Sequence, residues 1–157
     1  MTNEITYSWG YNHSGQLGFV SDRDKVKSPQ PIPPENLPSG ILQVALGHLH
    51  TLFLGKDHSL YSCGSNFYGQ LGLQSHKSVT YPVKVSLCFP PIQVACGEYH
   101  SMALSQDGSL YCWGRNHLGQ LGVGRVVMES HIPLKVKTNV KFIRIECGSN
   151  YSMGLSR

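Results

Sequence analysis

Eight histidines and five cysteines are the groups with which this 157-residue chain could hold a metal or attack a substrate. A zinc site needs ligands converging in fixed geometry, and cysteines two residues apart are its usual signature. No Cys-x-x-Cys pair occurs. Cys63 stands where Trp9 and Trp113 stand in a repeating pattern, and Cys96 and Cys147 stand where Leu46 does. Those positions, like that of Cys112, belong to packed strands. His50 and His100 share a position with Tyr151, which fits a ring whose polar tip bonds backbone inside a sheet better than it fits a catalytic base. No serine or cysteine is accompanied by an orienting base. The recurring Gly-Gln-Leu-Gly is not followed by the Gly-Lys-Ser/Thr of a phosphate loop. Asn12-His13-Ser14 has the form of a glycosylation sequon, but it carries meaning only in a secreted chain. These residues predict no catalytic residue, no metal and no cofactor, and point to a binding module.

Binding chemistry is suggested instead by the basic residues. The net charge is +4, and its distribution is uneven. Residues 1–54 hold three Lys/Arg and four Asp/Glu, residues 55–104 hold three and two, and residues 105–157 hold seven and three. Arg115, His117, Arg125, Lys135, Lys137, Lys141 and Arg144 are therefore the candidate partner-binding residues, suited to an acidic protein surface or a phosphate. Thirteen Lys/Arg in the whole chain are too sparse for a dedicated nucleic-acid binder.

The elements that must position these residues repeat. Gly-Gln-Leu-Gly occurs at 15–18, 69–72 and 119–122, each time preceded by an asparagine: Asn12, Asn66 and Asn116. A second marker begins at Gly47, Gly97 and Gly148, and a third is the proline at 29, 82 and 133. Three markers in one phase divide the chain into approximate repeats 10–63, 64–113 and 114–157. Residues 5–9 match the last strand of a unit, so they are phased to complete a final blade.

Within each unit the period is that of strands. Pro82-Val83-Lys84-Val85 and Pro133-Leu134-Lys135-Val136 alternate, with proline expected at the strand start. Leu42-Gln43-Val44, Ile92-Gln93-Val94 and Ile143-Arg144-Ile145 alternate likewise. Asp107-Gly108 reads as a hairpin turn, because glycine accepts positive φ without steric cost. Asp57-His58 takes its place one repeat earlier, which predicts local strain or another turn type. Each unit thus offers about four short antiparallel strands, the content of a propeller blade. Leu17, Leu71 and Leu121 are expected to plug the space between blades, with the asparagines bonding loop backbone. The non-repeating segments 19–28, 73–81 and 123–132 are left to meet partners. Composition agrees: 17 glycines argue against helical bundles.

The segments Leu-Tyr-Cys-Trp-Gly-Arg-Asn-His-Leu-Gly-Gln-Leu-Gly at 110–122 and Ala-Cys-Gly-Glu-Tyr-His-Ser-Met-Ala-Leu at 95–104 resemble the regulator of chromosome condensation (RCC1-type) repeat family. The likeness runs over essentially the whole chain. It implies an all-β fold, here a partial, three-blade β-propeller. It also implies a protein-interaction scaffold, with guanine-nucleotide exchange on a Ran-like small GTPase and chromatin association as the founding activity. The alternative it implies is partner recognition beside a HECT-type ubiquitin-ligase domain. Three blades fall short of a ring, so an open arc is expected, either a piece of a longer propeller or a protein that self-associates, two copies then giving six blades. The first residues, Met1-Thr2-Asn3-Glu4, lack signal-peptide character, and no apolar run reaches a membrane span of about 18 residues. Reduced cysteines in a cytoplasmic or nuclear protein without membrane contact are the corresponding expectation.

Overall fold

The computed structural model describes residues 4–124 and 127–157. Among them are twelve β-strands and one short 3-10 turn, Pro34–Asn36. No helix among the described residues is long and apolar enough to cross a membrane. Strands β3 (Ile41–Leu46), β4 (His50–Gly55), β5 (Leu60–Gly64) and β6 (Val79–Lys84) form one four-stranded sheet in chain order. Strands β7 (Pro91–Cys96), β8 (His100–Ser105), β9 (Leu110–Arg115) and β10 (Glu129–Lys135) form the second. All their pairings are antiparallel. Two half-sheets flank them: β1 (Tyr7–Tyr11) with β2 (Lys25–Pro31), and β11 (Phe142–Cys147) with β12 (Ser152–Ser156). The fold is all-β, built of propeller-type blades.

Every residue of β4 and β8 is buried. Each of these strands is covered on both faces, so its sequence runs apolar and small rather than alternating. Trp113, Leu52, Leu54 and Val94 join the two full sheets in one core, and Met102, Leu104, Leu121 and Ile145 join the second sheet to β11. Leu71 and Leu121 are fully buried and Leu17 nearly so, and Leu121 packs in the core that joins the second sheet to β11.

The turns follow their residues. Gly108 has φ +78° and closes the β8–β9 hairpin. His58, its counterpart, is held at φ 63°, in a region costly for a residue with a Cβ. The strain is offset by a hydrogen bond between His58 Nδ1 and the Pro91 carbonyl at 2.9 Å. The prolines differ from expectation. Pro82 and Pro133 lie within β6 and β10, not at their starts, inside register shifts opposite Ser62–Gly64 and Cys112–Gly114. A bulge in an outermost strand needs no N–H at that point, so proline is tolerated there. The bulges also let the preceding repeat approach: a Cβ on Gly15 would lie 2.6 Å from Thr80 Cα, and one on Gly69 would lie 2.5 Å from His131 Cα.

Candidate partner-binding surface

The loops that carry the site are pinned by one repeated set of bonds. The Oδ1 atoms of Asn12, Asn66 and Asn116 accept from the backbone N–H of Leu17, Leu71 and Leu121 at 2.9–3.0 Å. Their Nδ2 groups donate to carbonyls of the following segment, Phe19, Ser75 and Val127. Gln16, Gln70 and Gln120 accept from the N–H two residues earlier, each at 3.0 Å. Their carbonyls in turn accept from Thr51, Ser101 and Ser152 hydroxyls at 2.7 Å, tying each loop to the following sheet.

On this fixed frame two variable doublets meet. One lies between the asparagine and the first glycine of each loop: Phe67-Tyr68 in the second repeat, His117-Leu118 in the third. The other follows the second marker's glycine: His48-Leu49 in the first, Glu98-Tyr99 in the second. The Arg115 guanidinium lies 5.1 Å from the Tyr68 ring centre and 5.7 Å from that of Tyr99. The two tyrosine rings are 5.3 Å apart. His117 lies edge-on to Tyr68 at 6.0 Å, and its Nδ1 accepts from Arg115 Nε at 3.4 Å. His48 meets Tyr99 on the other side at 5.9 Å. Glu98 closes that side and is held by the Ser149 hydroxyl at 2.8 Å, which keeps its carboxyl below the usual range. Arg115, Tyr68 and Tyr99 are half-buried, and His48 and His117 are exposed. A guanidinium stacked on aromatic faces at a water-accessible surface can present both charge and apolar area to another molecule.

The other sequence-predicted residues do not join this cluster. Lys135 pairs across the sheet with Tyr111, at the end of β9 away from Arg115, and its ammonium lies 6.0 Å from the Tyr111 ring centre. Lys141 is bound to Asp107 at 3.0 Å in the β8–β9 turn. There the Ser105 and Ser109 hydroxyls and Lys141 together hold the Asp107 carboxyl far below its ordinary range. Lys137 is exposed in the connection after β10. Arg144 pairs with Glu146 on its own strand at 3.1 Å. Arg125 lies outside the described residues. The structure therefore brings Arg115 and His117 together and places the lysines at the opposite end of the sheet. Tyr68, Tyr99 and His48 did not stand out as site residues in the sequence. The signal was available: they vary inside otherwise fixed markers.

The buried histidines bond differently from expectation. His50 Nε2 meets the Ser101 hydroxyl at 3.0 Å and His100 Nε2 meets that of Ser152 at 2.9 Å, so the partner is a side chain of the next repeat and not backbone. Each ring fills the space above a glycine: a Cβ on Gly47 or Gly97 would come within 2.2 Å or 2.0 Å of it. Burial lowers His50 to about 3 and His100 to about 4, with the proximity of His100 adding to the shift of His50. Both rings are neutral and structural. Burial raises the Cys63, Cys96 and Cys112 thiols and pushes Cys147 up to about 12, which suits packing rather than nucleophilic attack.

Comparison with known proteins agrees with this architecture. Among curated proteins, the probable E3 ubiquitin-protein ligase HERC6 of Homo sapiens is 40% identical over 67 residues, which is 43% of this chain and 6% of that protein. The RCC1-like G exchanging factor-like protein of Mus musculus is 36% identical over 83 residues, 45% of this chain and 18% of that one. The chain thus matches only a small part of these relatives' length. Among solved structures, Prp20p from Saccharomyces cerevisiae, described with its binding properties to Gsp1p and histones, superposes with TM-score 0.86. It is 26% identical, and the match covers 100% of this chain and 41% of that one. Human WBSCR16 gives 0.84 at 28% identity, covering 96% and 39%. The regulator of chromosome condensation (RCC1) repeat matches residues 5–54, 57–104 and 107–155, and the chain belongs to that repeat family.

Proposed function

We propose that this chain is a protein-interaction scaffold that offers the cluster of Arg115, Tyr68 and Tyr99 to an acidic protein surface. The observation that carries this reading is the Arg115 guanidinium held over two tyrosine faces, on positions that vary while the supporting bonds repeat. Arginine and tyrosine dominate the binding energy of protein interfaces. The partner we propose is a Ran-like small GTPase, with regulation of guanine-nucleotide exchange in the nucleus or cytoplasm as the role. The likeness to Prp20p, described with binding to Gsp1p and histones, supports it and extends it to chromatin. An exchanger makes no covalent bond, so a surface of this kind suffices chemically.

Binding of the purified chain to a GDP-loaded Ran-type GTPase, followed together with nucleotide release, tests this. Arg115→Ala is expected to weaken binding by about tenfold or more, a loss of about 1–2 kcal/mol. Equal affinity of the variant would remove the cluster from the interface. A second reading is favoured by the 40% identity to HERC6: the chain is the recognition segment of a ubiquitin-ligase assembly. Failure to bind the GTPase, with retention of a HECT-type ligase in co-purification, would select it.

The half-sheets support self-association as part of the same scaffold. Relative to the full sheets, β11 and β12 are a first and second strand, and β1 and β2 a third and fourth. Each half therefore has the strands that the other lacks, and we propose that two copies of this 157-residue segment on its own complete each other's sheets.

A further inference from the structure

We propose that His76, Glu129 and His131 form a binding site for a divalent late transition metal, with Zn²⁺ as the best-suited ion. The two histidines come from different repeats, so no sequence spacing betrays them. His76 lies in the connection between β5 and β6, while Glu129 and His131 lie on β10. The connection is fastened to β10 by the Gln74 N–H donating to the His131 carbonyl at 3.0 Å, and Gln74 takes a left-handed φ of 57° to do so. The imidazole centres are then 4.1 Å apart, edge to face, and His76 Nδ1 is 3.8 Å from Glu129 Oε1. One ligand atom from each of the three residues lies within 4.8 Å of the other two. His131 Nδ1 is buried and has no hydrogen-bond partner.

Two imidazoles and one carboxylate, with solvent on the fourth side, are the donor set of three-ligand zinc sites. Zn–N and Zn–O distances of about 2.0–2.2 Å require the ligand atoms to draw together. His76 is half exposed, and its ring gives up the 3.3 Å contact of Nδ1 with the Phe67 carbonyl on turning toward an ion. The imidazoles pack edge to face beside the Glu129 carboxylate, and the buried His131 Nδ1 has no hydrogen-bond partner, as is also true of the Nδ1 atoms of His50 and His100. The fold does not demand these residues. One repeat earlier, Thr80 takes the place of His131 against the equivalent glycine. The donors also favour Ni²⁺ and Cu²⁺ over harder ions such as Mg²⁺.

Isothermal titration of the full chain with zinc chloride alone is expected to give one site per chain, with proton release that competes on acidification. His76→Ala removes a ligand from an exposed loop, and Glu129→Gln keeps the shape while removing the charge. Each is expected to weaken zinc binding by about tenfold or more and to abolish the zinc-dependent rise in melting temperature. Cobalt substitution should give the intense visible bands of a four-coordinate site, absent in His76→Ala. Absence of zinc binding, or binding unchanged in both variants, would overturn the proposal.

Discussion

At the scale of single residues, most of the conspicuous side chains are absorbed by packing, and two of them make the fold sensitive to pH. His50 and His100 are buried and neutral, lowered to about 3 and about 4. In the unfolded chain an imidazole titrates near 6.5. Between these values the unfolded state binds protons that the folded state refuses, so stability falls as pH falls. The loss begins near 6.5 and continues down to about 4 for His100 and about 3 for His50. Between pH 7 and pH 5 each ring is expected to remove about 2 kcal/mol. Asp107 also loses stabilisation on acidification, but only below the ordinary carboxylate range, so the window above about pH 4.5 belongs to the histidines. Urea denaturation at pH 7 and pH 5 checks this. A double variant, His50→Gln with His100→Gln, should be weaker at pH 7 yet show a much flatter dependence. An unchanged slope would mean the rings titrate normally.

At the scale of elements, neighbouring sheets are clamped by a side chain acting as a short strand. Gln43 donates to the Val94 carbonyl at 2.8 Å and accepts from its N–H at 3.0 Å, and Gln93 does the same with Ile145 at 2.8 and 3.0 Å. Ile145 is fully buried, so Gln93→Ala strands a donor and an acceptor away from water. The expected cost is about 2–3 kcal/mol, with faster hydrogen exchange at the Ile145 amide as the local signature. Alternating patterns placed Gln43 and Gln93 on strands, but strand periodicity says nothing about a bond to the next sheet. The third copy of that position is Arg144, which turns to Glu146 instead. The site was legible to the same degree. Arg115 and His117 stood out by charge, and the turn strain at His58 by its departure from Asp-Gly. Tyr68 and Tyr99 did not, because only the packing of one sheet on the next brings their rings together. His76 and His131 stayed hidden for the same reason, and the prolines were misplaced because a bulge leaves no mark on the alternation.

At the scale of the whole 157-residue segment, the sheets at its two ends have two strands each. Within the full sheets, Trp113 is fully buried and pairs with Ser101, and Met102 pairs with Cys112. The corresponding residues of the half-sheets are Trp9, Ser152, Met153 and Ser8, and there Trp9 is 59% and Met153 64% exposed. Unpaired strand edges that carry large apolar groups invite pairing with another chain. The register of β8 on β9 says how this would occur: Ser152 of one copy opposite Trp9 of the other, and Met153 opposite Ser8. Two such junctions close a ring of six blades, within the usual range of about four to eight. Sedimentation of the 157-residue chain is therefore expected to give a dimer, and dilution should red-shift tryptophan emission as Trp9 returns to water while Trp113 stays buried. Met153→Arg places a charge in the proposed junction and should yield a monomer whose emission no longer depends on concentration. A monomer of the unaltered chain at high concentration would reject the ring, and would leave the Arg115 surface and the zinc site standing, since neither draws a residue from β1 or β12.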